Sequence, residues 1–238
     1  MDEAVDLWSY LARDPMLWLT ATLLAYIAAE RLSEMAGRHP LANPVLIAVI
    51  LLAALLTATG TPYATYFEGA QFVHFMLGPA TVALALPLYD NLARVRASLL
   101  PMAAALVAGS LTAIFSALGI AWALGVRGEV LVSLAPKSAT APVALGVSEA
   151  VGGQPSLTAV LVILTGITGA VVATPMLNAL GIRDWRARGF AVGVAAHGIG
   201  TAQAFRVHST AGAFSGIGMG LNAVLTAILA PLVVGLLL

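Results

Sequence analysis

A chain of 238 residues that is 60% hydrophobic and only 9% charged, with a mean hydropathy of +0.96, cannot clothe a globule for water, since soluble domains carry about 25% charged residues. Eleven Lys and Arg balance eleven Asp and Glu, which argues against a nucleic-acid partner. Having no cysteine, the chain has no disulfides, thiolate metal sites or thiol nucleophiles. The remaining solvent is the lipid bilayer, and the composition predicts an all-α integral membrane protein.

In chain order, the amino terminus Met1-Asp2-Glu3-Ala4-Val5-Asp6 lacks the basic region and cleavage site of a secretory signal, so insertion rests on the first apolar helix. Apolar stretches of the length needed to cross about 30 Å of hydrocarbon occur at 16–34, 44–60, 71–89, 98–124, 156–180 and 211–237, predicting about six spanning helices. Two more stretches, 128–150 and 185–207, are apolar but interrupted, the first by Lys137 and Pro142, the second by His197 with its flanking glycines. These are expected to be broken or re-entrant helices. Together they predict one transmembrane domain over 1–238, with N-terminal helices in 16–125 and a C-terminal part in 128–238. Trp8, Trp18, Trp122 and Trp185 fall near segment ends, as aromatic anchors do.

Short loops carry Arg31 and Arg38, Arg94 and Arg96, Arg127, and the group Arg183, Arg186 and Arg188. The positive-inside rule puts the first two pairs in the cytoplasm; the Arg183 group joins them only if 128–150 enters and returns by the same face. Leu77-Gly78-Pro79-Ala80-Thr81 resembles Leu134-Ala135-Pro136-Lys137-Ser138, and each is followed by further prolines, an acid and a long apolar helix. Repeated units of broken plus spanning helix are a secondary-transporter architecture, although a true repeat wants the two segments to cross alike while the charge bias wants them to differ.

The densest polar constellation runs from Ser133 through Leu134-Ala135-Pro136-Lys137-Ser138-Ala139-Thr140-Ala141-Pro142, followed by Glu149. Prolines on both sides of a lysine predict unwound backbone with free N–H and C=O groups, tolerated at membrane depth only when buried in protein or lining a wet cavity. A half-helix starting near Ser138 would aim its positive end at the break, a recipe for binding an anion. Lys137 is then the counter-charge, with Ser138 and Thr140 as hydrogen-bond partners. The competing reading has Lys137 snorkelling to an interface and Pro142 merely kinking a helix. Glu149 either pairs with Lys137, carries a proton or ends a helix at the surface.

The second constellation is Arg188 to Gln203, with Ala196-His197-Gly198-Ile199-Gly200-Thr201 at its centre. His197 beside Gly198 and Gly200 is an ionisable group at a flexible break, suited to proton coupling or a carboxylate contact near neutral pH; a satisfied structural histidine is the alternative. Thr201 and Gln203 extend its polar face. Thr165, Thr168, Thr174, Asn178 and Asn222 read as interhelical glue. No catalytic triad, metal cluster or cofactor motif emerges, which points away from an enzyme and from any bound cofactor or metal.

The run Leu134 to Pro142 resembles the L-P-K-S-V-T-T-P signature of the LrgB/CidB family. Further matches include Asn43-Pro44, Tyr66 to Gly69, Pro79 to Ala85, Thr165 to Ala170, Ala187 to Gly189, His197 to Ala202 and Gly212 to Ser215, so the resemblance covers nearly the whole chain. It implies an inverted-repeat fold with discontinuous helices at Pro79, Pro136, Pro142, Gly198 and Gly200, in a multi-pass protein of the cytoplasmic (inner) membrane. The implied function is transport of small carboxylates of the glycolate, glycerate or pyruvate class. The alternative is control of murein hydrolases and autolysis beside a small LrgA/CidA-type holin-like partner, without transport. A homo-oligomer is also expected. Where relatives read Ser-His-x-x-Gly-Thr-Ala-Arg, this chain has Ala196 and Gln203, and the missing guanidinium either alters the substrate or leaves binding to Lys137 alone.

Overall fold

The computed structural model describes residues 14–39, 42–76 and 98–237, with single positions at 79, 82, 89, 92 and 96. The described residues form nine α-helices and no strand, and fall into two units, 1–82 and 83–238.

In the first unit, α1 (Pro15–Met35) starts where Asp14 accepts from the Met16 amide, and α2 (Pro44–Thr59) where Asn43 accepts from Val45 and Leu46. Each has proline in its first turn, where the missing N–H would be unpaired anyway. Gly60, at φ +64, ends α2 in the left-handed conformation that glycine adopts freely. Helix α3 (Tyr63–Phe75) lies against α1 so closely that a Cβ on Gly69 would overlap Trp18 and the Pro15 carbonyl. Trp18 is fully buried there, edge-on to Tyr66: packing between helices, rather than a membrane interface, holds this tryptophan.

In the second unit, α4 (Leu99–Ala123), α7 (Pro155–Ala179) and α9 (Ser209–Leu237) are long and apolar enough to cross a membrane. They correspond to three of the six predicted spans. Helix α1 is 21 residues long but carries Glu30, Arg31 and Glu34 near its end, and α2 is apolar but has only 16 residues. The predicted span at 71–89, with the first copy of the proline repeat, lies mostly outside the described residues; Pro79 itself is helical and exposed.

Between these long helices the chain turns back on itself twice. Helix α5 (Gly128–Ser133), seven non-helical residues and α6 (Ala141–Ala150) return the chain to its starting level. There Gln154 Nε2 donates to the Glu129 carboxylate at 3.0 Å and the Gln154 amide to Ser133 Oγ at 2.7 Å. Helix α8 (Trp185–Val207) is helical only in two arms, interrupted by non-helical dihedral angles at Ala196 and His197. Were it straight, its ends would lie about 35 Å apart at 1.5 Å per residue; instead the Trp185 ring stacks on His208 with centroids 4.8 Å apart.

Contacts along α9 give the same geometry. Gly189 and Gly193 of the first arm abut the Ala211 and Ser215 carbonyls, so that arm runs parallel to α9. Phe205 of the second arm abuts Gly212, and Thr201 reaches Ser215, so the second arm runs antiparallel. A Cβ on Gly200 would stand 2.6 Å from Ala196 Cβ and 2.9 Å from Val192 Cγ1, so the two arms approach each other through this glycine.

The two hairpins enter from opposite ends. One end has Trp122, Arg127, Glu129 and Gln154, sealed beneath by a cluster of Ile114, Leu118, Leu131, Val147, Ala230 and Val233. The other has Asp184, Trp185 and His208, with Met102, Phe190, Val194, Phe214 and Ile217 packed inside it. Because the Ser215 carbonyl and the Met219 amide occupy the space of any side chain at Gly193, Gly193→Leu is expected to abolish the folded unit. The check is loss of a cooperative thermal transition in detergent relative to Gly220→Leu, at an exposed position whose Cβ meets nothing within 4 Å.

Candidate functional site

The tips of the two hairpins meet beside α7. Ala139 and Ala144 pack on Val162, and His197 Nε2 lies 2.8 Å from the Val162 carbonyl. A carbonyl only accepts, so Nε2 carries the proton and donates. Glycines on α7 admit the second tip: a Cβ on Gly166 would stand 2.6 Å from His197 Cε1, and one on Gly169 would overlap Ala196.

In the first tip, residues 134–140 form successive turns with i to i+3 bonds, such as Ala139 N–H to the Pro136 carbonyl at 2.9 Å. Helix α6 begins at Ala141, later than the start near Ser138 that the sequence suggests. Pro142 sits in its first turn, where it needs no donor, and Thr140 is extended (φ −63°, ψ 147°) as the N-cap without a side-chain capping bond. Asn222 of α9 donates to the Ser138 carbonyl at 3.1 Å and accepts from Ser110 Oγ of α4 at 2.6 Å. At the base of the hairpin, Thr158 of α7 donates to the Ser133 carbonyl at 3.0 Å and lies 2.7 Å from Ser148 Oγ; all three side chains are fully buried.

Lys137 is half-buried, with Nζ 3.3 Å from Ser138 Oγ. Among the described residues no carboxylate pairs with it. It lines two cavities. The larger, about 810 Å³, lies between α4 and the first arm of α8 and runs from Lys137 and Ser138 to Asp184 and Arg186. The smaller, about 400 Å³, lies between that arm and α7 and includes Thr165 and Thr168. Lys137, Ala191 and Ala195 are common to both.

Two neighbouring cations are satisfied locally. Arg186 binds Asp184 at 2.6 Å, and its side-chain hydrogen bond to that carboxylate draws the Asp184 pKa down to about 2, so the pair is ionised and neutral in sum at physiological pH. Arg188 is buried, donating to Asn178 Oδ1 at 2.7 Å and the Ile182 carbonyl at 2.9 Å, over the Trp185 ring.

The sequence-derived residues thus separate. Lys137 and Ser138 line a cavity; Thr140 stands at the N-cap of α6 and is half-buried. His197 forms the second tip, at φ +39° and ψ −137°, dihedral angles that favour glycine, while Gly198 and Gly200 remain helical. Thr201 donates to the His197 carbonyl at 2.7 Å, so its hydroxyl accepts from Ser215 at 2.9 Å. Glu149 is exposed and Gln203 half-buried; neither lines the two cavities.

Sequence reasoning passed over Asn222 as generic glue and did not single out Ser133, Ser148 and Thr158 as a set. Their type was visible, but partners 10, 25 and 84 residues apart leave no local pattern. Asn222→Ala strands the Ser138 carbonyl and the Ser110 hydroxyl, and each buried group left unpaired costs about 1–3 kcal/mol. The expected outcome is a lower thermal midpoint in detergent, with faster amide exchange confined to 134–140.

The family model described as the LrgB-like family matches residues 22–236. The chain is 36% identical over 213 residues to the uncharacterized protein YwbG of Bacillus subtilis, covering 90% of this chain and 94% of that protein. It is 32% identical over 222 residues to the holin-like protein CidB of Staphylococcus epidermidis, covering 92% and 95%. It is 31% identical over 219 residues to the CidB of Staphylococcus aureus, covering 92% and 95%. No solved structure matches.

Proposed function

The chain belongs to the LrgB-like family of multi-pass membrane proteins, and from that premise we propose that it is a secondary transporter for small carboxylates of the glycolate, glycerate or pyruvate class. Lys137 carries this reading: a half-buried ammonium on non-helical backbone, unpaired among the described residues and lining two cavities. A charge in apolar surroundings needs a counter-ion or water, and a bound carboxylate supplies the former. Ser138 offers a hydroxyl beside it, and Thr140, at the N-cap of α6 and outside both cavities, is a weaker proposed contact. Two hairpins that enter from opposite ends and meet near the middle of α7 suit a site at the bilayer midplane between discontinuous helices.

His197, buried at the second tip with Nε2 donating to the Val162 carbonyl, is the stronger candidate for proton coupling, since Glu149 is exposed at the base of α6. Thr201 acts through His197 by holding its carbonyl. Gln203 lies farther along the second arm and is the weakest of the proposed contacts. Arg183, Arg186 and Arg206 gather at the Trp185 end, which the positive-inside rule assigns to the cytoplasm. Both cavities extend toward that end, while the apolar cluster closes the other. This is the form expected of an inward-open carrier.

Counterflow into proteoliposomes with labelled glycolate, glycerate and pyruvate tests the proposal. Lys137→Ala is expected to lower uptake at least about tenfold, in line with the 2–5 kcal/mol lost when one member of a buried charge pair is removed. Unchanged uptake in that variant removes the anion site.

The name of the Staphylococcus relatives, holin-like protein CidB, favours a second reading: a regulator of lysis acting through a small LrgA/CidA-type membrane partner or through its own oligomer. Exposed apolar faces such as Val224, Ile228 and Leu232 on α9 suit contact with lipid or another helix. Under this reading, co-purification with the partner and control of autolysis both survive Lys137→Ala. Under the transport reading, any effect on autolysis disappears with uptake.

A further inference from the structure

A three-carbon acid fills the space of about three or four water molecules, near 30 Å³ each, and would leave most of an 810 Å³ cavity empty. The walls of that cavity are unsuited to a polyhydroxy acid. They are built mainly from Pro101, Met102, Ala105, Phe190, Val194 and Phe214. Among the described residues the polar lining is confined to Lys137 and Ser138 at the inner end, Thr112 on α4 and Ser98 at its N-cap, and the Asp184–Arg186 pair at the mouth. That pair is internally neutralised, so among the described residues the cavity presents one uncompensated positive charge, enough for a single carboxylate.

We infer that this cavity takes a monocarboxylate with an extended apolar body, such as a branched-chain or aromatic 2-oxo acid, with its carboxylate on Lys137 and its body between α4 and the first arm of α8. The inference rests on the transport reading above and deepens it. Hydroxyl groups of a glycerate-like acid would be desolvated here with few partners, whereas each methylene buried is worth about 0.8 kcal/mol, close to fourfold in affinity. Gly109, where a Cβ would stand 3.1 Å from Val194 Cγ1, lets α4 and the first arm of α8 approach closely, and Ala105 lies in the wall of the cavity beside that contact.

The test uses the full-length protein in liposomes. Counterflow of labelled 4-methyl-2-oxopentanoate, phenylpyruvate, pyruvate and glycerate is measured for the wild type, Lys137→Ala and Ala105→Trp. The wild type is expected to half-saturate with the two apolar-bodied acids at concentrations at least about tenfold below glycerate, and Ala105→Trp to collapse that ratio toward one. The wild-type comparison decides the matter even if Ala105→Trp does not fold. Lys137-dependent counterflow of pyruvate and glycerate, with equal or weaker handling of the apolar-bodied acids, overturns this inference and leaves transport standing. Absence of Lys137-dependent counterflow for all four acids overturns both.

Discussion

Backbone that leaves the helix inside an apolar unit must find other partners, because an unpaired peptide group away from water costs as much as a lost hydrogen bond. In this protein Asn222 meets that demand for the Ser138 carbonyl, and the Thr201 hydroxyl meets it for the carbonyl of His197. Each donor is buried, and Asn222 also takes the Ser110 hydroxyl from α4. The first broken segment is therefore held by a side chain of α9, and the second by a residue of its own second arm. Loosening those side chains would disturb Lys137 and His197 before it disturbed any span.

Close approach of backbones makes this economy of donors possible. Gly189 and Gly193 bring the first arm of α8 against α9, while Gly166 and Gly169 let the tip of α8 rest on α7. Helices without a hydrophobic driving force between them pack through small residues, and here the small residues also set depth. An arm of eleven residues, 185–195, is about 16 Å long, roughly half of a 30 Å hydrocarbon layer. At the tip, His197 takes a backbone conformation unfavourable to its side chain because ring and carbonyl are both anchored.

Electrostatics then single out one residue. Arg186 is neutralised by Asp184, Arg188 is spread over Trp185 and two oxygen acceptors, and Arg127 lies over Trp122 while donating to the Val126 carbonyl at 2.7 Å. Among the described residues, Lys137 has only the Ser138 hydroxyl. A charge kept in that condition beside two cavities is costly as scaffolding and useful as a site, which is why the proposed function turns on it.

Apolar runs of membrane length, the prolines around Lys137 and the histidine beside two glycines are local features, so the helical class, three of the long helices and the positions of two interruptions were legible from residue order alone. Helix starts were partly legible as well: Asp14, Asn43 and Asp184 cap helices through bonds to amides two residues on, although Pro142 set the start of α6 three residues later than the polar pattern suggested. Residue order does not say whether an interrupted segment crosses or turns back, because both carry the same apolar composition. Contacts such as Trp185 on His208 and Gln154 on Glu129 decided that. Likewise, Lys137 was conspicuous in the sequence, but its lack of a carboxylate partner among the described residues, its two cavities and the bond from Asn222 to the neighbouring Ser138 carbonyl follow from distant segments meeting in space. Such meetings are determined by packing and by the need to pair every buried polar group, and no local pattern encodes them.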